Sequence, residues 1–161
     1  LDFLSKDFAN TEKNAKKALE VDPFNAKIIP VAGSLLRRLG QYSDALPVFT
    51  KTLELSSNPA HWVWFEYAIT LTALKKYEKA NELIEKALTT KEAGTQNTIL
   101  ILNQAAIAIY ENKIEKAKKK CKNAKSRTPN FDLEKNLKMI SDTVDKDFYE
   151  SFLSAVKSAC I

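Results

Sequence analysis

Apolar residues recur along most of the chain at spacings of three and four, the pattern of helices that bury one face. In one lysine-rich segment, Ile114, Ala117, Cys121 and Ala124 are spaced by three, four and three residues. Together with the turn residues between such segments, the pattern predicts helices at about 7–21, 26–39, 42–55, 60–73, 77–89, 96–111 and 114–127. Pro30 falls in the first turn of the second helix, where a missing amide hydrogen costs little. An all-α chain is therefore expected.

Four of these segments are similar to one another, so the chain contains an internal repeat. Thr11, Ala45, Ala80 and Ala117 occupy equivalent positions, which are 34, 35 and 37 residues apart. In the last three copies a bulky residue stands three positions earlier: Tyr42, Tyr77 and Ile114. Small side chains let two antiparallel helices approach closely, and no such pair buries its apolar face alone. The sequence therefore predicts stacked helix pairs.

The repeated positions resemble the signature of the tetratricopeptide repeat (TPR), a helix–turn–helix unit of about 34 residues. They are Ile29, Ala32, Gly33, Leu36, Ala45, Phe49 and Pro59, then Trp64, Tyr67, Ala68, Leu71, Ala80, Ile84 and Ala87, then Ile101, Gln104, Ala105, Ala108, Ala117, Cys121, Ala124 and Pro129. The resemblance implies a right-handed α-solenoid of antiparallel helix pairs over residues 1–130. It implies about 3.5 units, at about 1–24, 25–59, 60–94 and 95–130. One departure is Gln104, which takes a position that is normally apolar.

The remaining segment, 131–161, departs from the repeat. Its apolar residues recur at three and four: Leu133, Leu137, Ile140 and Val144, then Phe148, Phe152 and Val156. This spacing predicts one or two amphipathic helices over 131–160. The apolar face of the last unit would otherwise meet water, so these helices are expected to cap the array rather than to bind a partner.

The composition fits one compact domain: 161 residues, of which 45% are apolar and 28% charged. Three glycines are too few for a turn-rich β-sandwich or barrel. The most apolar run, Ile99 to Tyr110, is interrupted by Asn103 and Gln104. It is shorter than the roughly 20 residues that a membrane-spanning helix needs. No membrane span is therefore expected.

Residues that could carry out catalysis are sparse. His61 is the only histidine and has no second imidazole beside it, so a surface or capping role is favoured over catalysis or metal binding. Cys121 takes a bulky core position and is expected to be an inert buried thiol. The three glycines do not form a phosphate-binding loop. We predict a protein that is not an enzyme and holds no metal or cofactor.

The two cysteines, Cys121 and Cys160, have no further His or Cys at ligand spacing. This pattern argues against a disulfide scaffold or a zinc site and favours a reducing compartment, hence the cytoplasm. The chain opens Leu1-Asp2-Phe3-Leu4, without an initiator Met or a basic leader region. On that ground we expect a fragment of a longer protein.

Positive charge is concentrated in one segment. The net charge of the chain is +5, whereas Lys113 to Arg127 alone carries +7. On a helix these lysines would all lie on the solvent side, and an acidic partner could be attracted there. A plain solvated face is nevertheless favoured. Nucleic acid is disfavoured because no aromatic residue is interleaved and the chain has only three arginines.

The resemblance implies that the first helix of each unit lines a concave groove, which is the predicted partner-binding site. Its candidate residues are Lys27, Arg37, Arg38, Trp62, Phe65, Glu66, Ile69, Ile99, Leu102, Asn103 and Tyr110. Trp62, Phe65, Ile99 and Leu102 are too apolar to be left in water, and exposed clusters of this kind usually mark a binding site. The alternative, given equal weight, is that the tail helices fold back and fill the groove.

TPR modules that grip the acidic C-termini of cytosolic heat-shock chaperones resemble one another in a clamp of Lys, Asn and Arg. Pro30, Ser34, Glu66, Ile99 and Asn103 stand at the matching positions, so that role is disfavoured. We predict a protein-interaction module that binds a peptide or helix of an unidentified partner in the groove. The alternatives are a secretion-type TPR chaperone, or a docking or regulatory segment of a larger enzyme.

Overall fold

The computed structural model describes residues 8–25, 27–56, 59–89, 95–128, 130–141 and 144–160. Within these ranges every regular element is an α-helix. The helices of the repeat region are α1 (Phe8–Val21), α2 (Ile29–Arg38), α3 (Tyr42–Leu55), α4 (His61–Ala73), α5 (Tyr77–Leu88), α6 (Thr95–Tyr110) and α7 (Ile114–Arg127). The tail forms α8 (Leu133–Ser141) and α9 (Lys146–Cys160). Each helix of the repeat region begins and ends within three residues of its prediction, which is therefore confirmed.

Three turns of the same design connect α2 to α3, α4 to α5 and α6 to α7. Each has three residues, and the middle one has a positive φ: 73° at Gly40 and 57° at both Lys75 and Asn112. In each turn the next amide N–H bonds a carbonyl five residues back, for example Gln41 to Leu36 at 3.0 Å and Lys76 to Leu71 at 2.9 Å. This is the Schellman way of ending a helix. The repeat seen in the sequence is thus a repeat of backbone geometry.

Small residues lie where paired helices meet. Ala45, Ala80 and Ala117 are fully buried, as their equivalent positions predict. A Cβ added at Gly33 would stand 3.1 Å from the Phe49 ring and equally close to Val48. Contacts at this distance leave no room for a larger residue without movement of a neighbour. The helix pairs α2–α3, α4–α5 and α6–α7 therefore pack closely.

The pairs stack into an all-α solenoid of antiparallel helix pairs that α8 and α9 cap. One apolar cluster joins α2 and α3 and includes Val63 of α4, and a second, larger cluster runs from α4 to α9. α9 packs along α6 and against α7, and its Phe152 and Val156 are fully buried. The described helices include none that is long and apolar enough to span a membrane.

The cysteines do not match the expectation of two unpaired thiols. Cys121 of α7 and Cys160 at the end of α9 form a disulfide, with their Cα atoms 5.4 Å apart. The inference of an inert free thiol at Cys121 is therefore wrong, and cysteine usage no longer argues for a reducing compartment. The sequence lacked the signal because a separation of 39 positions does not say which helix faces meet.

Candidate partner-binding groove

The predicted groove residues lie on α2, α4 and α6, or just before α2 in the case of Lys27. Lys27 is exposed, and Arg38, Trp62 and Tyr110 are partly buried. Seven others are buried: Arg37, Phe65, Glu66, Ile69, Ile99, Leu102 and Asn103. The expected open apolar cluster is therefore wrong for Phe65, Ile99 and Leu102, since neighbouring helices cover them.

The sequence held a signal for this burial. α4 is apolar around most of its circumference, and ten of its thirteen residues are buried. A helix without a polar face is a helix packed on all sides. α4 lies between the α2–α3 pair and the α5–α6 region, so Phe65 and Ile69 fill the interior of the array.

Arg37 and Glu66 form a buried ion pair between α2 and α4. Arg37 is fully buried and Glu66 is 6% exposed. Glu66 Oε2 accepts hydrogen bonds from Arg37 Nε at 2.5 Å and from the Ser34 hydroxyl at 2.9 Å. A buried charge pair of this kind fixes the position of two helices relative to each other. Both residues were predicted to meet a partner, but in this structure they join two neighbouring inner helices.

What remains accessible on the inner side of α2 is a stripe of four residues: Lys27, Val31, Ser34 and Arg38, which we call the α2 stripe. Val31, Ser34 and Arg38 are spaced by three and four, which places them on one face of α2, and Lys27 lies four residues before Val31 in the turn that precedes the helix. Val31 is 40% exposed, Lys27 is exposed, and Ser34 and Arg38 are partly buried. Ser34 of the stripe donates a hydrogen bond to Glu66. Glu66 lies four residues after the partly buried Trp62.

The equivalent face of α6 is covered. Ile99, Asn103, Ala106 and Tyr110, which we call the α6 inner face, share one side of the helix. The hydroxyls of Tyr110 and of Ser151 in α9 lie 3.3 Å apart, and burial raises the pKa of Tyr110. Ile99, Asn103 and Ala106 are at most 2% exposed. The alternative in which the tail helices fold back and fill the groove stays a prediction, and the contact of Tyr110 with Ser151 in α9 favours it.

One polar residue of the α6 inner face has unmet hydrogen-bonding capacity. Both side-chain amide atoms of Asn103, Oδ1 and Nδ2, are buried without a hydrogen-bond partner among the described residues. An amide that is buried and unpaired costs about 1–3 kcal/mol. The folded arrangement of α6 carries that cost.

α9 is anchored at both ends. At its start, Asp145 accepts the backbone N–H of Phe148 at 3.0 Å as the helix cap, and the hydroxyl of Tyr42 in α3 also donates to Asp145. Burial and this carboxylate together raise the pKa of Tyr42. At its end lie the disulfide and a hydrogen bond of 3.0 Å from Lys125 Nζ to the Cys160 carbonyl. α9 therefore reaches from the α2–α3 turn to α7.

The lysine-rich helix α7 matches its prediction in part. Ala117, Cys121 and Ala124 are buried, but Ile114, expected to join them, is 42% exposed. Lys120 is only partly exposed, since its Nζ lies 2.6 Å from Gln104 Oε1 and 3.1 Å from Glu85 Oε1. Gln104 in turn donates to Glu85 at 2.7 Å, and these bonds lower the pKa of Glu85. The polar Gln104 is thus buried because it links α6 to its neighbours.

Glu85, Gln104 and Lys120 line a cleft of about 540 Å³ between α5 and α7. Its remaining walls carry Glu78, Glu82, Glu111, Lys113 and Lys116, with Asn81. Acidic and basic residues face each other across it, and Lys120 and Glu85 form an ion pair at 3.1 Å. The cleft is a polar contact between neighbouring units rather than an apolar pocket for a side chain of a partner.

His61 is the first residue of α4, as its expected position at a helix start requires. It is only 8% exposed, so the expected surface position is wrong. Among the described residues, no group of three His, Cys, Asp or Glu side chains could hold a metal ion. The polar side chains of Ser34, Arg37, Glu66 and Gln104 form hydrogen bonds between helices.

Comparison with known proteins gives a likeness in structure but not in sequence. No protein-family model matches the chain. No curated protein matches it in sequence either. Among solved structures, the chain is similar to the crystal structure of MamA, with a TM-score of 0.67 and 16% sequence identity over 95% of this chain and 86% of that one. A likeness at this identity concerns the fold, which is TPR-like.

Proposed function

We propose that the chain is a non-enzymatic protein-interaction module, and that it takes a peptide or helix of a partner along the α2 stripe beside Trp62. The observation that carries the proposal is the set of hydrogen bonds and the ion pair that join α2 to α4 beneath this accessible surface. Arg37, Glu66 and Ser34 fix α2 against α4 from beneath, so the stripe is held in place before any partner arrives. A preformed surface binds with little loss of conformational entropy on its own side.

The chemistry of the stripe suggests the kind of segment that would bind there. Lys27 and Arg38 stand at its two ends, and the apolar Val31 and the hydroxyl of Ser34 lie between them. A segment with an apolar side chain flanked by carboxylates would match this order of groups. The remaining predicted contacts, Ile99, Leu102, Asn103 and Tyr110, join the site only if α9 moves away from α6.

The experiment is a selection of binding peptides from a random display library, followed by affinity measurement with purified variants. The test variant is Lys27→Glu/Val31→Asp, which changes two exposed residues. Its matched control is Lys119→Glu/Lys122→Glu on the outer side of α7. We expect the test variant to bind the selected peptides at least tenfold more weakly and the control to bind them as the unmodified chain does.

Helical content and melting temperature are measured for each variant, so that a loss of binding is separated from a loss of fold. Peptides that bind the test variant and the unmodified chain equally would show that the α2 stripe is not the site. A selection that returns no peptide with measurable affinity for the chain would count against the proposed function as a whole.

A further inference from the structure

We propose that α9 is a redox-latched cover of the α6 inner face, and that reduction of the Cys121–Cys160 disulfide opens that part of the groove. The latch joins the last turn of α9 to the middle of α7. The cover is the apolar side of α9, with Phe152, Val156 and Ala159 buried in the same cluster as Ile99. Lifting α9 away would expose an apolar surface, and the disulfide prevents this movement.

The two ends of α9 are held by different kinds of interaction. At its start, the hydrogen bond of Tyr42 to Asp145 and the packing of the Tyr42 and Phe148 rings, whose centroids are 5.8 Å apart, do not depend on redox state. At its end, the interactions described besides apolar packing are the disulfide, the hydrogen bond of Lys125 to the Cys160 carbonyl, and an exposed ion pair of Lys157 with Glu134 in α8 at 3.5 Å. Reduction therefore frees the C-terminal end while the start stays anchored, so α9 lifts from its Cys160 end.

The chemical step is ordinary thiol–disulfide exchange. A dithiol reductant attacks the disulfide, and two electrons and two protons pass to the protein, which gains two thiols while the reductant becomes a cyclic disulfide. Cys160 is partly buried and Cys121 is 1% exposed, so we expect the reductant to attack at Cys160. Before reduction the bond closes a loop across 39 residues, which strongly limits how far the end of α9 can move.

The unpaired amide of Asn103 makes the state in which α9 is closed less stable than it would be with every buried polar group paired. Both side-chain amide atoms of Asn103 in α6 lack a hydrogen-bond partner among the described residues, and water or a bound segment would pair them where the lifting of α9 uncovers α6. The uncovered surface, Ile99 and Ala106 around this amide, would extend the apolar and polar surface offered to a partner. Only this last step rests on the proposed function, since the lifting of α9 can be measured without any partner.

The test is hydrogen–deuterium exchange with mass spectrometry on the oxidised chain and on the chain reduced with dithiothreitol. We expect the amides of α9 from Phe152 to Cys160 to exchange on the order of 100-fold faster after reduction. Those of α3 and α5 are expected to change little. In parallel, N-ethylmaleimide is added to the reduced chain, and Cys121, now uncovered at intervals, is expected to be alkylated within a few-fold of the rate of Cys160.

The matched control is Cys160→Ser, which cannot form the bond. It should show fast α9 exchange with and without dithiothreitol. Equal α9 exchange in the oxidised and reduced chains, with Cys121 protected from alkylation, would overturn the proposal and make α9 a permanent part of the core. A uniform rise across α3, α5 and α9 would overturn it too, because the bond would then be a general staple of the fold.

Discussion

At the scale of single residues, the buried pair of Arg37 and Glu66 decides how the inner helices sit. Each charge is tolerated in the interior because the other lies 2.5 Å away. Removing one partner leaves the other buried and uncompensated, whereas removing both leaves a site that apolar side chains can fill. The pair is thus better described as a constraint on helix position than as a source of stability.

This leads to a prediction on the free energy of unfolding. Arg37→Met and Glu66→Leu should each lower it by about 3–5 kcal/mol, because each strands a buried charge. The double variant Arg37→Met/Glu66→Leu should lose clearly less than the sum of the two. Urea denaturation of the four proteins measures these values. Single variants that each lost under about 1 kcal/mol would mean that water reaches the pair and that it does not fix α2 against α4.

At the scale of helices, the small residues at equivalent positions set how closely each pair packs. Ala80 of α5 is fully buried within the larger apolar cluster. Its neighbour in sequence, Lys79, is exposed on the same helix. Two adjacent positions therefore differ in environment while sharing the same backbone, which makes them a matched pair for mutation.

Ala80→Leu should lower the free energy of unfolding by about 1–3 kcal/mol, because three added carbon atoms overpack the contact between helices. Lys79→Leu should change it by no more than about 0.5 kcal/mol. Thermal melts followed by circular dichroism compare the two. Similar melting temperatures for Ala80→Leu and the unmodified chain would show that the α5 position tolerates a larger side chain.

The helices themselves were predictable from sequence, and their surroundings were only partly so. Turn residues and spacing located α3 and α7 to the residue because these signals are local. The position of α9 was not predictable, since an amphipathic helix fits any apolar surface equally well. The pairing of Arg37 with Glu66 and of Cys121 with Cys160 likewise depends on which faces meet. The groove residues were found by analogy between units, which cannot show that Phe65 and Leu102 are covered.

At the scale of the whole molecule, the main concentration of positive charge lies on α7, away from the α2 stripe. The basic residues of α7 lie on its outer side, where Lys116, Lys119 and Lys122 are exposed. Lys118 is 3.8 Å from Glu115 on the same helix, an exposed pair that contributes little. The exposed lysines of this face contribute to the net charge of +5, whereas Lys120 and Lys125 of the same helix bond Glu85, Gln104 and the Cys160 carbonyl.

Reversing the charge at Lys118, Lys119 and Lys122 should accordingly leave the melting temperature within about 2 °C of that of the unmodified chain. The affinity for peptides selected on the α2 stripe should also stay the same. Titrations at 50 and 300 mM salt provide the check. If reversal removed binding, and salt weakened binding steeply in the unmodified chain, the outer face of α7 would be a docking surface for an acidic partner.

The contact of α9 with the α2–α3 turn changes how the array can fold. In a simple solenoid each unit touches only its neighbours, so units can add or fray one at a time from either end. Here Tyr42 and Asp145 meet although 103 residues separate them in sequence. Closing so long a loop is slow and comes late in folding, since its entropy must be lost before the contact forms. Once it is closed, the contact links the α2–α3 pair to the tail, and a string of separable units becomes a molecule that folds and unfolds as a whole.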